Sequence, residues 1–185
     1  MAIRLVIGGP PNSGKSTFAE SLARALQDQS VDAEAIDLDP WSPTLALIRG
    51  EITEDQRKAM KKKKITREEA EEAAERFEKS SRKHSVVLGD APGGISDQSR
   101  IIAKKATHAI ILCREDRKDA VDEWRTFFEK MGLRIIAVMI SKEHGEEEIR
   151  PNDLVEGILA NLDRKPRISP AMRLLATLLR SKLGI

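Results

Sequence analysis

The chain of 185 residues has no tyrosine, one cysteine, and only two tryptophans and four phenylalanines. With Cys113 alone, an internal disulfide is excluded, and the expected setting is a reducing cytoplasm. Cys113 closes the apolar run Ala109–Leu112, which marks it as a buried structural thiol rather than a nucleophile. So few aromatics leave Trp41 and Trp124 as packing residues rather than stacking platforms for bases. No apolar run approaches the roughly 20 residues of a membrane span, and the N-terminus enters a strand pattern without a signal peptide. The three histidines show no spacing to carboxylates or cysteine that suggests structural zinc, and His84 and His144 read as exposed loop residues. Asparagine and glutamine total seven while charged residues make up 34%, a balance like that of thermophile proteins.

A net charge of +2 is too small to imply a nucleic-acid partner. Its distribution is uneven: residues 57–67 hold seven basic residues and no acid, and residues 68–78 hold six glutamates. The length suits one domain, 1–185, that buries about 70% of its unfolded surface without a staple.

What is present is an alternation of apolar runs with helical periods, the pattern of an α/β protein. The expected fold has three layers, with a mainly parallel sheet of five to seven strands between helices. Strands are expected at Ile3–Ile7, Ala33–Leu38, Val86–Leu88, His108–Cys113 and Leu133–Ile140. Helices are expected at Ser16–Leu26, from Thr66 onward, at Gln98–Lys105, at Ala120–Lys130 and at Ala171–Leu183. A further helix is expected from Pro151, on the spacing of Val155, Ile158, Leu159 and Leu162. Residues 40–83 form a charged helical insertion. Thr66 and Glu69 make a capping box, and Ala70, Ala73, Ala74 and Phe77 a thin apolar stripe behind it. In the last helix Met172, Leu175, Leu179 and Leu183 share one side, fit either to pack on the sheet or to lie on an anionic membrane.

The sharpest local signal is Gly9–Pro10–Pro11–Asn12–Ser13–Gly14–Lys15–Ser16, with Thr17 following. It satisfies G-x-x-x-x-G-K-[ST] between a strand and an amphipathic helix. Glycines let the backbone curl until successive N–H groups point at phosphate oxygens, and the helix adds its positive dipole end. In such a loop Lys15 reaches the β- and γ-phosphates and is expected to face solvent, while the Ser16 hydroxyl is a Mg²⁺ ligand. Asp90, ending a strand in Asp90–Ala91–Pro92–Gly93, suits a carboxylate that holds Mg²⁺ through water. The Gly93 N–H is placed to sense the γ-phosphate. Gly89 stands where a bulky apolar residue is expected. Asp37 and Asp39 end the second strand one residue apart. They can take a proton from an attacking oxygen, hold metal-bound water, or start an Asp–Pro turn.

Together these blocks resemble the SIMIBI class of P-loop proteins, especially MinD/ParA/Mrp-type ATPases. The shared elements are the P-loop, Asp37–Leu38–Asp39–Pro40, Asp90–Ala91–Pro92 and the strand after Ala106–Thr107–His108. The resemblance implies a switch-type ATPase that binds ATP and Mg²⁺. The signature lysine of that family, with which dimeric members reach the partner's nucleotide, is replaced by Pro10. The ending G-x-x-x-S-G-K-S-T is equally similar to small-molecule and nucleoside kinases. There an aspartate after the second strand is the base for the acceptor hydroxyl, and the Arg57–Arg67 stretch would be a lid over phosphate; as a run of charge that stretch also reads as a solvated face. Ser141–Lys142–Glu143–His144 lacks the N/T-K-x-D of guanine readers, which favours ATP over GTP. Three functions stay open: ATP hydrolysis, phosphoryl transfer to a small molecule or nucleoside, and nucleotide sensing with negligible turnover. The open partner readings are a protein partner, a small-molecule acceptor and a homodimer.

Overall fold

The computed structural model describes residues 2–60, 64–163 and 165–185. Seven strands form one sheet: β1 (Ile3–Gly8), β2 (Ala33–Asp37), β3 (Val86–Asp90), β4 (His108–Arg114), β5 (Arg134–Lys142), β6 (Glu148–Arg150) and β7 (Val155–Ala160). Their order is β2-β3-β1-β4-β5-β7-β6, parallel throughout except for the antiparallel β6–β7 pair. The helices are α1 (Lys15–Gln27), α2 (Thr44–Ile48), α3 (Glu54–Met60), α4 (Arg67–Ser80), α5 (Asp97–Ala103), α6 (Ala120–Lys130) and α7 (Pro170–Leu183).

Strands buried on both faces explain the continuous apolar runs of the sequence. One face carries α1 and α7, with Phe18, Leu22, Leu26, Leu175 and Leu179 against Leu5, Ile7 and Leu88. The opposite face carries α4, α5 and α6, with Phe77, Ile102, Trp124 and Phe128 against Val6, Val87 and Ile111. The last helix therefore uses Met172, Leu175 and Leu179 inside the core rather than on a membrane. Among the described residues no helix is long and apolar enough to cross a membrane.

The expected helix from Pro151 is a strand. Val155, Gly157 and Leu159 are buried in alternation, and β7 pairs with β5 on one side and β6 on the other. The inward glycine hides the two-residue period, so Val155, Ile158, Leu159 and Leu162 mimic a helical one. Gly157 is required by packing, since a Cβ there would lie 2.4 Å from the Glu148 carbonyl oxygen.

The insertion contains α2, α3 and α4. At the start of α4 the Thr66 hydroxyl accepts from the Glu69 N–H, and the Glu69 carboxylate accepts from the Thr66 N–H at 2.9 Å. Ala70, Ala73, Ala74 and Phe77 are all buried. Of the basic stretch 57–67, Lys61–Lys63 lie outside the described residues. The outer edge of β2 is blocked by side chains: Gln27 donates to the Ala33 carbonyl at 2.7 Å, and Arg49 to that of Ala35 at 2.6 Å. Such capping keeps an edge strand from pairing with another chain.

Candidate functional site: the loop between the first strand and first helix

The loop leaves β1 and turns into α1 through residues with left-handed backbone: Asn12 at φ 59° and Gly14 at φ 85°, with Gly9 at φ 154°. Glycine adopts these angles without steric cost, and asparagine tolerates them better than most. Gly14 is the N-cap of α1, whose first turn holds no acid. The first N–H groups of that helix thus meet no acid from their own turn.

Lys15 corrects one expectation: it is buried, at 7% exposure, rather than facing solvent. Its ammonium curls back over the loop, donating to the carbonyls of Gly9 at 3.1 Å and Pro10 at 2.9 Å. Burial holds its pKa below the usual lysine value, against the opposing pull of Asp90 and Asp39. Across from it, the Ser16 hydroxyl donates to the carboxylate of Asp90 at the end of β3. Burial raises the Asp90 pKa, while Lys15 and the Ser16 hydroxyl act in the other direction.

Asp37 lies in register with Asp90 on the neighbouring strand, and Asp90 with Ile7 of β1. Its oxygens accept from the backbone N–H groups of Leu45 at 3.1 Å and Ala46 at 3.3 Å, holding α2 against the sheet. Burial, then the nearby Asp90 charge, push its pKa up to about 7. Asp39 sits past the strand end and accepts from the Trp41 N–H at 3.0 Å. Burial raises its pKa, opposed by that N–H and by Lys15. The site thus gathers Lys15, Ser16, Asp37, Asp39 and Asp90 at one end of the sheet.

The loop after β3 touches the cradle directly. A Cβ on Gly93 would fall 2.8 Å from the Cα of Pro11, so only glycine permits this approach. Gly89, where bulk was expected, leaves room for Leu38, whose Cδ1 lies 2.3 Å from where a Cβ would be. Ser13 and Thr17 are buried, while Pro11 and Asn12 are exposed at the tip.

Sequence reasoning missed three supports. Ser141, at the end of β5, donates to the Ser13 carbonyl at 2.9 Å and braces the loop from beneath. Leu162, after β7, packs where a Cβ on Gly14 would fall, 2.8 Å away. Arg49 bonds bidentately to one oxygen of the buried Glu20, at 2.8 and 3.0 Å, tying α2 to α1. Only the apolar run ending at Ser141 marked any of these in advance; the other two are long-range contacts without a local pattern.

Residues 1–95 match the family model described as chromatin associated protein KTI12. No curated protein matches the sequence. Among solved structures, the cell division ATPase MinD of Pyrococcus furiosus superposes with a TM-score of 0.62 at 16% identity. That match covers 96% of this chain and 80% of that one. The septum site-determining protein MinD of Pyrococcus horikoshii, complexed with Mg-ADP, gives a TM-score of 0.59 at 17% identity, over 95% and 77% of the two chains. A nucleotide-binding protein of Archaeoglobus fulgidus in complex with ADP gives 0.59 at 16% identity, over 100% of this chain and 89% of that one. At such identities the likeness is one of fold, a three-layer α/β P-loop fold with a mostly parallel sheet.

Proposed function

The chain belongs to the KTI12 family, a P-loop family, and from that premise we propose that it binds Mg²⁺–ATP at residues 9–17 and hydrolyses it as a switch-type ATPase. The observation that carries this reading is the pairing of the Ser16 hydroxyl with the Asp90 carboxylate beside the buried Lys15 ammonium. These residues fit the group. The Ser13 hydroxyl is buried without a hydrogen-bond partner among the described residues. The carbonyls now holding Lys15 are a substitute for anionic oxygens. Among the described residues no three His, Cys, Asp or Glu are grouped to hold a metal. This suits Mg²⁺, which is commonly bound by one or two protein ligands together with substrate phosphates. Mg²⁺ would be held by the Ser16 hydroxyl, and by Asp90 through water, and would supply charge neutralisation at the β- and γ-phosphates.

The protein's own groups divide the remaining work. Lys15 exchanges the Gly9 and Pro10 carbonyls for phosphate oxygens. The N–H groups of residues 13–17 and the Gly93 N–H, which the Pro11 contact brings to the loop, cradle the phosphates. Asp39, the acid beyond the strand end and within electrostatic reach of Lys15, takes the proton of the attacking water. Asp37 is its alternate. The water oxygen bonds to the γ-phosphorus as the bond to the ADP oxygen breaks. The residues at the end of β5 and just past it, Lys142–Glu143–His144, lack an aspartate for guanine, which supports ATP as the nucleotide. The Mg-ADP of the P. horikoshii MinD structure supports the same pairing of nucleotide and metal.

Lys15→Met tests the reading, because it keeps the aliphatic stem and removes the charge. Calorimetry should show loss of tight ATP binding in a variant that still unfolds cooperatively. Parental affinity in that variant would refute it. A second reading, phosphoryl transfer to a small molecule, is favoured by one observation: Asp37 and Asp39 also line a groove on the far side of β2. A phosphorylated product formed together with ADP would separate transfer from hydrolysis.

A further inference from the structure

The groove beside β2 has a volume of about 570 Å³, within the range of small-molecule sites. Its two ends differ in chemistry. Asp37, Asp39 and Pro40 form the end nearest the phosphate cradle, and Arg76, Lys79 and Lys83 line the wall furnished by α4 and the turn that follows it.

The wall is basic because α4 sorts its residues by face. Ala70, Ala73, Ala74 and Phe77 point into the core. None of the helix's six glutamates lines the groove; Arg76 and Lys79 stand three apart on α4, and Lys83 joins them from the turn after it. Two of those cations are unengaged: among the described residues Arg76 and Lys83 have neither an ion pair nor a side-chain hydrogen bond. Lys79, by contrast, pairs with Glu75 at 3.1 Å, and Arg49 with Glu20. Glu34 of β2, which also lines the groove, is already engaged, as it accepts from the Ser80 hydroxyl at 2.5 Å and faces His84 at 3.3 Å. A concave wall with two unpaired cations, opposite carboxylates at the reacting end of a phosphate cradle, is a bipolar receptor. A charge-assisted contact to phosphate is worth more than a neutral one, and a carboxylate accepts from a hydroxyl.

We propose that this groove is a second ligand site, for a small molecule that carries a phosphate at one end and a hydroxyl at the other. The phosphate sits on Arg76 and Lys83, and the hydroxyl points to Asp39. This orientation rests on the nucleotide reading of the cradle, which gives the Asp39 end its role as the reacting end.

The test uses the full chain and glycerol 3-phosphate, the simplest probe with both groups, followed by amide NMR. Saturable shifts are expected at residues 76–84 and at 37–39, while glycerol alone should bind far more weakly. Arg76→Ala combined with Lys83→Ala should weaken the probe about ten-fold or more, and exchanging the two for Lys and Arg should restore binding. Both side chains are exposed and unpaired, so these variants are expected to fold. Lys15→Met should retain the probe. If instead the probe is lost with Lys15→Met, its phosphate occupies the cradle and the proposal falls. Parental affinity in the double alanine variant also overturns it. So does a short thymidine oligonucleotide that binds the same amides more tightly than the probe, since it would assign the wall to a nucleic-acid backbone. The two readings fail separately: ATP binding without probe binding rejects the groove alone, and probe binding without ATP binding rejects the cradle alone.

Discussion

Asp37 and Asp39 stand two residues apart, yet their oxygens are engaged differently. Both oxygens of Asp37 hold the N-terminal amides of α2, whereas Asp39 accepts from the Trp41 N–H beyond the strand end. Asp39→Asn should therefore slow ATP turnover by about 10²–10⁴-fold, the usual worth of a general base, with ATP affinity nearly intact. Asp90→Asn should lower metal-dependent affinity and turnover together, because its partner is the Ser16 hydroxyl. Steady-state kinetics alongside calorimetry distinguish these outcomes, and an Asp39→Asn enzyme at the parental rate would move the base elsewhere. Asp37 belongs to a pH experiment instead. Its folded pKa, about 7, exceeds the ordinary 3.8, so the native state binds the proton more tightly than the unfolded chain. Its contribution is then fully present below about pH 4 and is lost as pH rises towards about 7. Asp37→Asn removes that loss. Measured by urea unfolding, the variant should gain a few kcal/mol on the parent between about pH 4 and pH 8. A constant difference across that range would show that Asp37 is not held protonated.

At the scale of elements, the site depends on how α1, α2 and α7 are fastened. Helix α7 packs on α1 through Met172, Leu175 and Leu179, and its Ser169 N-cap accepts from the Met172 N–H at 3.2 Å. Leu175 is fully buried, so Leu175→Ala should cost about 2–5 kcal/mol by urea unfolding. An unchanged midpoint would mean that α7 is dispensable to the core. Helix α4 is locked to the sheet by Phe77, so the insertion is charged on its outside but anchored within. The Trp41 indole N–H donates to the Glu69 carboxylate at 2.8 Å, joining the Asp39 loop to the start of α4.

At the scale of the whole molecule, the cradle concentrates electrostatic cost at one end of the sheet. Asp90, Asp39 and Asp37 are all pushed towards protonation by burial, and Lys15 is the cation among them. Mg²⁺–ATP at about a hundred times its dissociation constant should stabilise the fold by about 2.7 kcal/mol. A thermal melt should show the rise in the parent, with no comparable rise in Lys15→Met. Equal rises in both proteins would place the nucleotide somewhere other than residues 9–17.

The sequence by itself determined what arises from neighbours along the chain. The loop pattern at 9–17, the capping box at Thr66 and the apolar stripes of α1, α4 and α6 are local regularities, each legible in a window of a few turns. Five of the six parallel strands were legible as apolar runs because both faces of that sheet are covered. Tertiary structure decided the rest, for reasons of distance along the chain. Residues 155–160 are a strand because β5 and β6 offer pairing partners, which no local period of Val155, Ile158, Leu159 and Leu162 could reveal. Lys15 is buried because Gly9 and Pro10 turn their carbonyls onto it. Asp37 is pushed up to about 7 by burial and by Asp90 on the next strand, against the opposing amides of a helix eight residues downstream. Arg76 and Lys83 face Asp39 across a groove only because α4 docks over β3 through Phe77. In each case the deciding partner is remote or oriented by the backbone fold, and burial and charge act through space rather than through sequence.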